Sequence, residues 1–188
     1  DYLDDAFEAG AAAAMVSSVP TSSKGQLPLL VVSDTRTGLT ALGTVGRSRS
    51  RAMVIGVTGS VGKTGTKEML RLVLSEFGFV HASRESYNNA IGVPLTLANL
   101  PKDADYAVIE IGMSHSGEIA PLSKMSRPNV GVITNVSVAH IANFKDVDEI
   151  ANAKAEIFDG IDPDGIAILN RDNDHFRSLN LRAQKTTK

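Results

Sequence analysis

Thr58-Gly-Ser-Val-Gly-Lys-Thr64 brings two glycines, a lysine and two threonines into one short stretch. Glycine lets a backbone approach a phosphate closely. Lysine adds a point charge on the terminal phosphates, and the hydroxyl of Thr64 is placed to reach a Mg²⁺ ion. The apolar run 53–57 reads as a buried strand, and a helix opens near Lys63. Strand, glycine loop and helix N-terminus form an anion site, because unpaired N–H groups and the positive dipole end face one point. The strict Gly-x-x-x-x-Gly-Lys-Ser/Thr spacing places glycine at position 57; this chain has Val57 there, and Gly56 comes one residue early. The bland alternative is a chance Gly-Lys-Thr at a helix start, and the flanking strand and helix signals weigh against it. Nucleotide contacts are expected from Thr58, Gly59, Ser60, Val61, Gly62, Lys63, Thr64 and Gly65.

In open α/β sheets, ligands sit beyond the C-terminal ends of the strands. That rule gathers the phosphate loop, Glu110, Thr134 with Asn135, and Asn170 on one edge. Glu110 follows four uncharged strand residues, as expected of a carboxylate aimed at a phosphate-bound cation; the alternative is an acid merely at a strand end. His140 lies in a loop among small and apolar residues, where a structural role competes with a metal role. Lys154 lies three and four residues from Ile150, Ala151, Ile157 and Phe158, near the buried face of its helix, and snorkelling is the commoner outcome there. Asn88 and Asn89 precede a helix start and suit a turn or a cap.

These residues need a scaffold, and from residue 53 onward strand and helix patterns alternate. That order predicts a parallel sheet with right-handed crossovers and helices on both faces. Strands are expected at 53–57, 79–82, 105–110, 130–134 and 165–169. The helix after the loop is expected to bury Met69, Leu70, Val73, Leu74 and Phe77. Further helices are expected at 91–100, 117–125 and 146–158. Gly65 in the first turn of the loop helix costs about 1 kcal/mol against alanine, which a close backbone approach to ligand would excuse. Residues 1–50 have another texture: a short helix ended by Gly10, two short strands at 11–16 and 27–32, a turn-rich stretch at 19–26, and a helix capped by Ser33 or Asp34 with Leu39, Leu42 and Val45 on one face. Arg47-Ser-Arg-Ser-Arg51 reads as a solvated connector, with phosphate binding as the lesser alternative.

The whole chain sets bounds. Its 188 residues suggest one domain or one and a part, and 43% hydrophobic content supports a real core. A net charge of −2 gives no general attraction to nucleic acid or anionic membrane. There are no cysteines, so disulfides and thiolate metal sites are excluded, which is compatible with a cytoplasmic setting. No apolar run approaches a transmembrane length. The start at Asp1 and the polar tail both read as cut ends.

Thr58-Gly-Ser-Val-Gly-Lys-Thr64, Lys67-Glu-Met69, Asn88-Asn-Ala-Ile-Gly-Val-Pro94, Val108-Ile-Glu-Ile-Gly112, His115-Ser-Gly-Glu-Ile119 and Ala153-Lys-Ala-Glu-Ile-Phe158 together resemble the Mur ligases. The Asn88 block is similar to the branch that joins D-Ala-D-Ala to UDP-N-acetylmuramoyl-tripeptide in peptidoglycan synthesis. The resemblance implies a three-domain ATP-dependent ligase, with residues 1–50 closing an N-terminal substrate domain and 51–188 opening the central ATP-binding domain. It implies a reaction through an acyl phosphate, with ATP and Mg²⁺. It also implies roles for single residues. Lys63 holds phosphates, Thr64 and Glu110 bind one Mg²⁺, and Asn89 sits near the γ-phosphate and substrate carboxylate. Asn170 lies near adenine, His140 binds a second metal, and Lys154 is carbamylated to help place it. Gly65 departs from the Ser or Thr common after the loop threonine. A sibling ligase adding another amino acid, and a P-loop ATPase or nucleotide-binding module without ligase activity, remain open. The fragment by itself is expected to be inactive.

Overall fold

The computed structural model describes residues 2–20, 28–138 and 141–186. Its main body is a five-stranded, wholly parallel sheet of β3 (Met53–Thr58), β4 (Val80–Ala82), β5 (Tyr106–Glu110), β6 (Val130–Ile133) and β7 (Ile166–Leu169), in the order β4-β5-β3-β6-β7. The central strand β3 is buried on both faces, which explains its unbroken apolar run. Alternate strand residues supply two cores. Val54, Ala107 and Ile109 face one side, where α4 (Gly92–Ala98), α5 (Ile119–Ser126), α6 (Val147–Ala155) and α7 (Phe176–Ala183) bring Leu97, Leu122, Ile150 and Leu179. Ile55, Val57, Val108 and Val132 face the other side, covered by Leu70 and Leu74 of α3 (Lys63–Leu74).

Ahead of this body lie α1 (Leu3–Glu8) and a parallel pair, β1 (Ala14–Val16) and β2 (Leu29–Val31), then α2 (Thr35–Arg49). Asp34 caps α2, its carboxylate accepting from the Thr37 amide at 2.6 Å. α2 packs against α4 so closely that Gly43 and Gly46 lie against the backbones of Pro94 and Leu97.

Several expectations are corrected. Arg47 and Arg49 are not in a connector but in the last turn of α2. Arg47 is buried, donating to the carbonyls of Ser126 (2.6 Å) and Arg127 (3.0 Å). The buried face of α2 carries Gly43, Gly46 and Arg47, while Leu42 and Val45 are exposed. Of the five residues expected to be buried by the loop helix, only Leu70 and Leu74 pack on the sheet, with Lys67 buried in line with them; Met69 and Val73 are exposed, and so is Phe77, which lies beyond the end of α3 at Leu74. The 146–158 helix ends earlier, at Ala155, and tightens into a 3₁₀ turn over Glu156–Gly160. α7 lies in a stretch where no element was expected.

Candidate nucleotide site at the strand ends

Because every strand runs the same way, the register brings the ends together: Val57 pairs with Glu110, Thr58 with Ile133, and Ile133 with Leu169. The loop 59–62 leaves β3 there. Gly59 (φ +153°) passes so near β6 that a Cβ would collide with the Thr134 hydroxyl, and Gly62 (φ +83°) closes the loop in the left-handed region. Both positions therefore require glycine. Thr134 Oγ1 donates to the Val61 carbonyl at 2.6 Å, and the Ser60 amide donates to Asn135 O at 2.8 Å. The Ser60 hydroxyl donates to Ser137 O and accepts from Ser137 N, each at 3.0 Å. The loop is thus tied to the chain that follows β6. No side chain caps α3, so its first amides keep their donor capacity at the loop.

Lys63 Nζ donates to Gly59 O at 2.8 Å, which lays the ammonium over the loop. Burial lowers its pKa, and the charge of Glu110 works against that shift. Glu110 is only 2% exposed. Its Oε2 accepts from Thr64 Oγ1 (3.0 Å) and its Oε1 from Asn88 Nδ2 (2.8 Å). Helix start, strand end and the loop before α4 are thereby joined at one carboxylate. The Thr58 hydroxyl is fully buried beside the loop and, among the described residues, is the one buried side-chain polar atom without a partner.

A cavity of about 650 Å³ opens next to Lys63, lined also by Arg36 of α2, Asn88, Asn89, Ser114 and Glu118. Asn89 turns its Oδ1 toward the amides of Ile91 (3.0 Å) and Gly92 (2.9 Å), fastening the start of α4. Lys154 is 3% exposed, which removes the snorkelling reading. Burial first, and then the charge of Lys63, lower its pKa to about 8. Asn170 follows β7 and is exposed, and its Oδ1 accepts from the Asp172 amide at 3.0 Å. Asn173, three residues on, donates to Asn135 and to Val136 O. A Cβ on Gly65 would meet nothing within 4 Å, so no neighbouring protein atom demands glycine there. His140 lies outside the described residues.

Three features escaped the sequence reading. Lys67 and Ser83 are buried behind Glu110. Glu156 caps α5, accepting from the amides of Gly117 (2.6 Å), Ile119 (3.1 Å) and Ala120 (3.0 Å). Arg36 lines the cavity. For Lys67 the signal was present, a charge on the stripe of Leu70 and Leu74; the other two depend on contacts distant in sequence.

A family model described as the Mur ligase middle domain matches residues 57–188. The UDP-N-acetylmuramoyl-tripeptide–D-alanyl-D-alanine ligases of Rickettsia prowazekii (strain Madrid E) and Escherichia coli (strain K12) are 39% and 42% identical to this chain. The matches cover 95% and 92% of it, but only 40% and 38% of those proteins. Among solved structures, MurF from Acinetobacter baumannii superposes with a TM-score of 0.88 at 36% identity, covering 100% of this chain and 40% of that one. MurF ligase from Thermotoga maritima in complex with ADP gives 0.83 at 29% identity, covering 100% and 42%. The chain spans about two fifths of the length of the relatives it matches. Over the residues that build the phosphate loop and the sheet around it, this chain belongs to the Mur ligase family.

Proposed function

We propose that this chain is the nucleotide-binding portion of an ATP-dependent ligase that joins D-Ala-D-Ala to UDP-N-acetylmuramoyl-tripeptide in peptidoglycan synthesis. The observation that carries this is the joint of Thr64, Glu110 and Asn88 beside Lys63, at the mouth of a cavity large enough for a second substrate. The names of the similar proteins supply the substrates. In this reaction the tripeptide carboxylate attacks the γ-phosphorus of ATP, the bond to ADP breaks, and an acyl phosphate forms. The amine of D-Ala-D-Ala then attacks the acyl carbon. An amide forms, phosphate leaves, and the ammonium proton passes to a base.

ATP and Mg²⁺ suit the residues present. The two glycines hold the loop in a backbone course that other residues rarely adopt, no side chain caps α3, and the Thr58 hydroxyl beside the loop has no partner. A threonine hydroxyl and a carboxylate are hard oxygen donors, and among the described residues no group of three His, Cys, Asp or Glu forms a metal site from protein alone. Bound Mg²⁺ supplies charge neutralisation between phosphates and carboxylate. Thr64 and Glu110 hold it, and Lys63 adds a fixed positive charge on the phosphates. Asn89, which lines the cavity, is assigned to the γ-phosphate, and Asn170, at the end of β7, to the adenine. His140 and a carbamylated Lys154 are assigned to a second cation. Residues 1–50 end a substrate-binding domain and 51–188 begin the ATPase domain. A cytoplasmic location belongs to the same proposal; no helix among the described residues is long and apolar enough to cross a membrane.

The test uses the whole protein, following phosphate release from ATP with and without each substrate. Release should require both UDP-N-acetylmuramoyl-tripeptide and D-Ala-D-Ala, and Lys63→Ala should lower kcat/KM by roughly a hundredfold or more, the scale for removing one preorganised charge contact. Unchanged turnover in Lys63→Ala would remove the loop assignment. Release without an acceptor would indicate a plain ATPase, and stimulation by another amino acid a sibling ligase.

A further inference from the structure

Lys67 stands one helical turn beyond Lys63 and is among the largest fully buried side chains of the described residues, 1% exposed. A buried ammonium is costly unless its donors are satisfied, and an apolar residue of similar volume commonly serves stability as well. Here Nζ donates to the Ser83 carbonyl at 2.9 Å and meets Glu68 Oε1 at 2.8 Å. Ser83 follows β4 and is itself buried. Its amide continues the ladder by donating to Val108 O at 3.0 Å, while its hydroxyl accepts from the Glu110 amide at 3.1 Å. The same Glu110 returns to α3 through its carboxylate, which accepts from Thr64 Oγ1. These contacts close a ring: Thr64 and Lys67 on one helix, Lys67 to Ser83, Ser83 to Glu110, and Glu110 to Thr64. Glu110 is held by its backbone at one end and its carboxylate at the other.

We propose that Lys67 is a positioning residue that, through Ser83, fixes the Glu110 carboxylate in the orientation that receives a divalent cation. This rests on the assignment of Thr64 and Glu110 to that cation. Lys67 reaches neither cation nor nucleotide in this scheme. It sets the height of Ser83 against β5, and so the direction in which Glu110 leaves the sheet. Outer groups of this kind typically change metal affinity by 10- to 100-fold when removed.

The test compares whole-protein Lys67→Met, Ser83→Ala, the double variant and Glu110→Ala, with folding followed by circular dichroism. Free Mn²⁺ is measured by electron paramagnetic resonance at saturating ADP, and ADP affinity is measured separately without metal. Lys67→Met should weaken Mn²⁺ binding by about tenfold or more, with metal-free ADP affinity unchanged within about twofold. Ser83→Ala should do the same, and the double variant should be no worse than the worse single, because both act in series on one carboxylate. Mn²⁺ affinity within about twofold of wild type in Lys67→Met and Ser83→Ala, while Glu110→Ala weakens it, overturns the brace. Multiplying losses in the double variant also overturn it. Unchanged affinity in Glu110→Ala removes the cation assignment and the brace with it, a separate failure. If Lys67→Met does not fold, Ser83→Ala decides alone by the same criterion.

Discussion

Lys154→Met should make the fold more stable near neutral pH, by an amount set by how far burial displaces the lysine pKa. The value falls from the ordinary 10.5 to about 8, with burial as the larger cause and the Lys63 charge as the second. A lowered lysine pKa means that the unfolded chain binds more protons than the folded chain between those values, so stability rises with pH across that window. Well below pH 8 both states are protonated and the penalty reaches its full value. For a side chain this buried, the difference of about 2.5 converts to a penalty of about 3 kcal/mol at pH 7, falling to about 1 kcal/mol at pH 9.5. Methionine has a similar volume and no charge, and neighbouring Ile150, Ala151 and Phe158 offer it an apolar setting. Urea unfolding of wild type and variant in CO₂-free buffer, at pH 7 and again at pH 9.5, gives the difference of differences, in which all other titrations cancel. The stabilisation at pH 7 should exceed that at pH 9.5 by about 2 kcal/mol. Equal effects at the two pH values would show that no buried ammonium is being relieved. The same displacement leaves roughly a quarter of Lys154 as neutral amine at pH 7.5, against about a thousandth for an ordinary lysine. Neutral amine is the form that adds CO₂, so the stability lost to this residue is the counterpart of its proposed modification.

Two glycines make opposite predictions. Gly46→Ala should destabilise by about 2 kcal/mol or more in chemical denaturation, because its Cβ would run into the Leu97 carbonyl and force α2 off α4. Gly65→Ala should stabilise by up to about 1 kcal/mol in the same assay, since the new methyl group meets no neighbouring atom and alanine is the better helix former.

The strands were readable from sequence because a doubly buried parallel strand is a continuous apolar run ended by a polar residue. Tyr106–Glu110 and Val130–Ile133 have that form and lie within a residue of where they were expected. The phosphate loop was readable because its glycines answer to backbone conformation, which acts locally. The faces of α2 and α3 were not readable. Periodicity allows two neighbouring apolar stripes on α3, and the sheet chose the one with Leu70, Leu74 and the lysine between loop and core. On α2 the contact face is made by absence of side chain, at Gly43 and Gly46, so hydrophobic spacing pointed to Leu42 and Val45 instead. α7 was obscured because its flanks are polar and only Leu179 and Ala183 are buried.

Arg47 changes what the first fifty residues mean for the site. As a solvated connector they would leave the loop region independent of whatever precedes it. Instead Arg47 bonds the two carbonyls at the end of α5, and Gly46 lets α2 touch the backbone of α4. A helix of 15 residues is about 22 Å long, so fastening its far end also fixes its beginning. Arg36 stands at that beginning and lines the same cavity as Lys63. The arginine that looked like a linker residue therefore acts as a bolt. It fixes the course of the helix whose first turn brings Arg36 to the cavity that Lys63 also lines, so the geometry of that cavity depends on residues ahead of the phosphate loop.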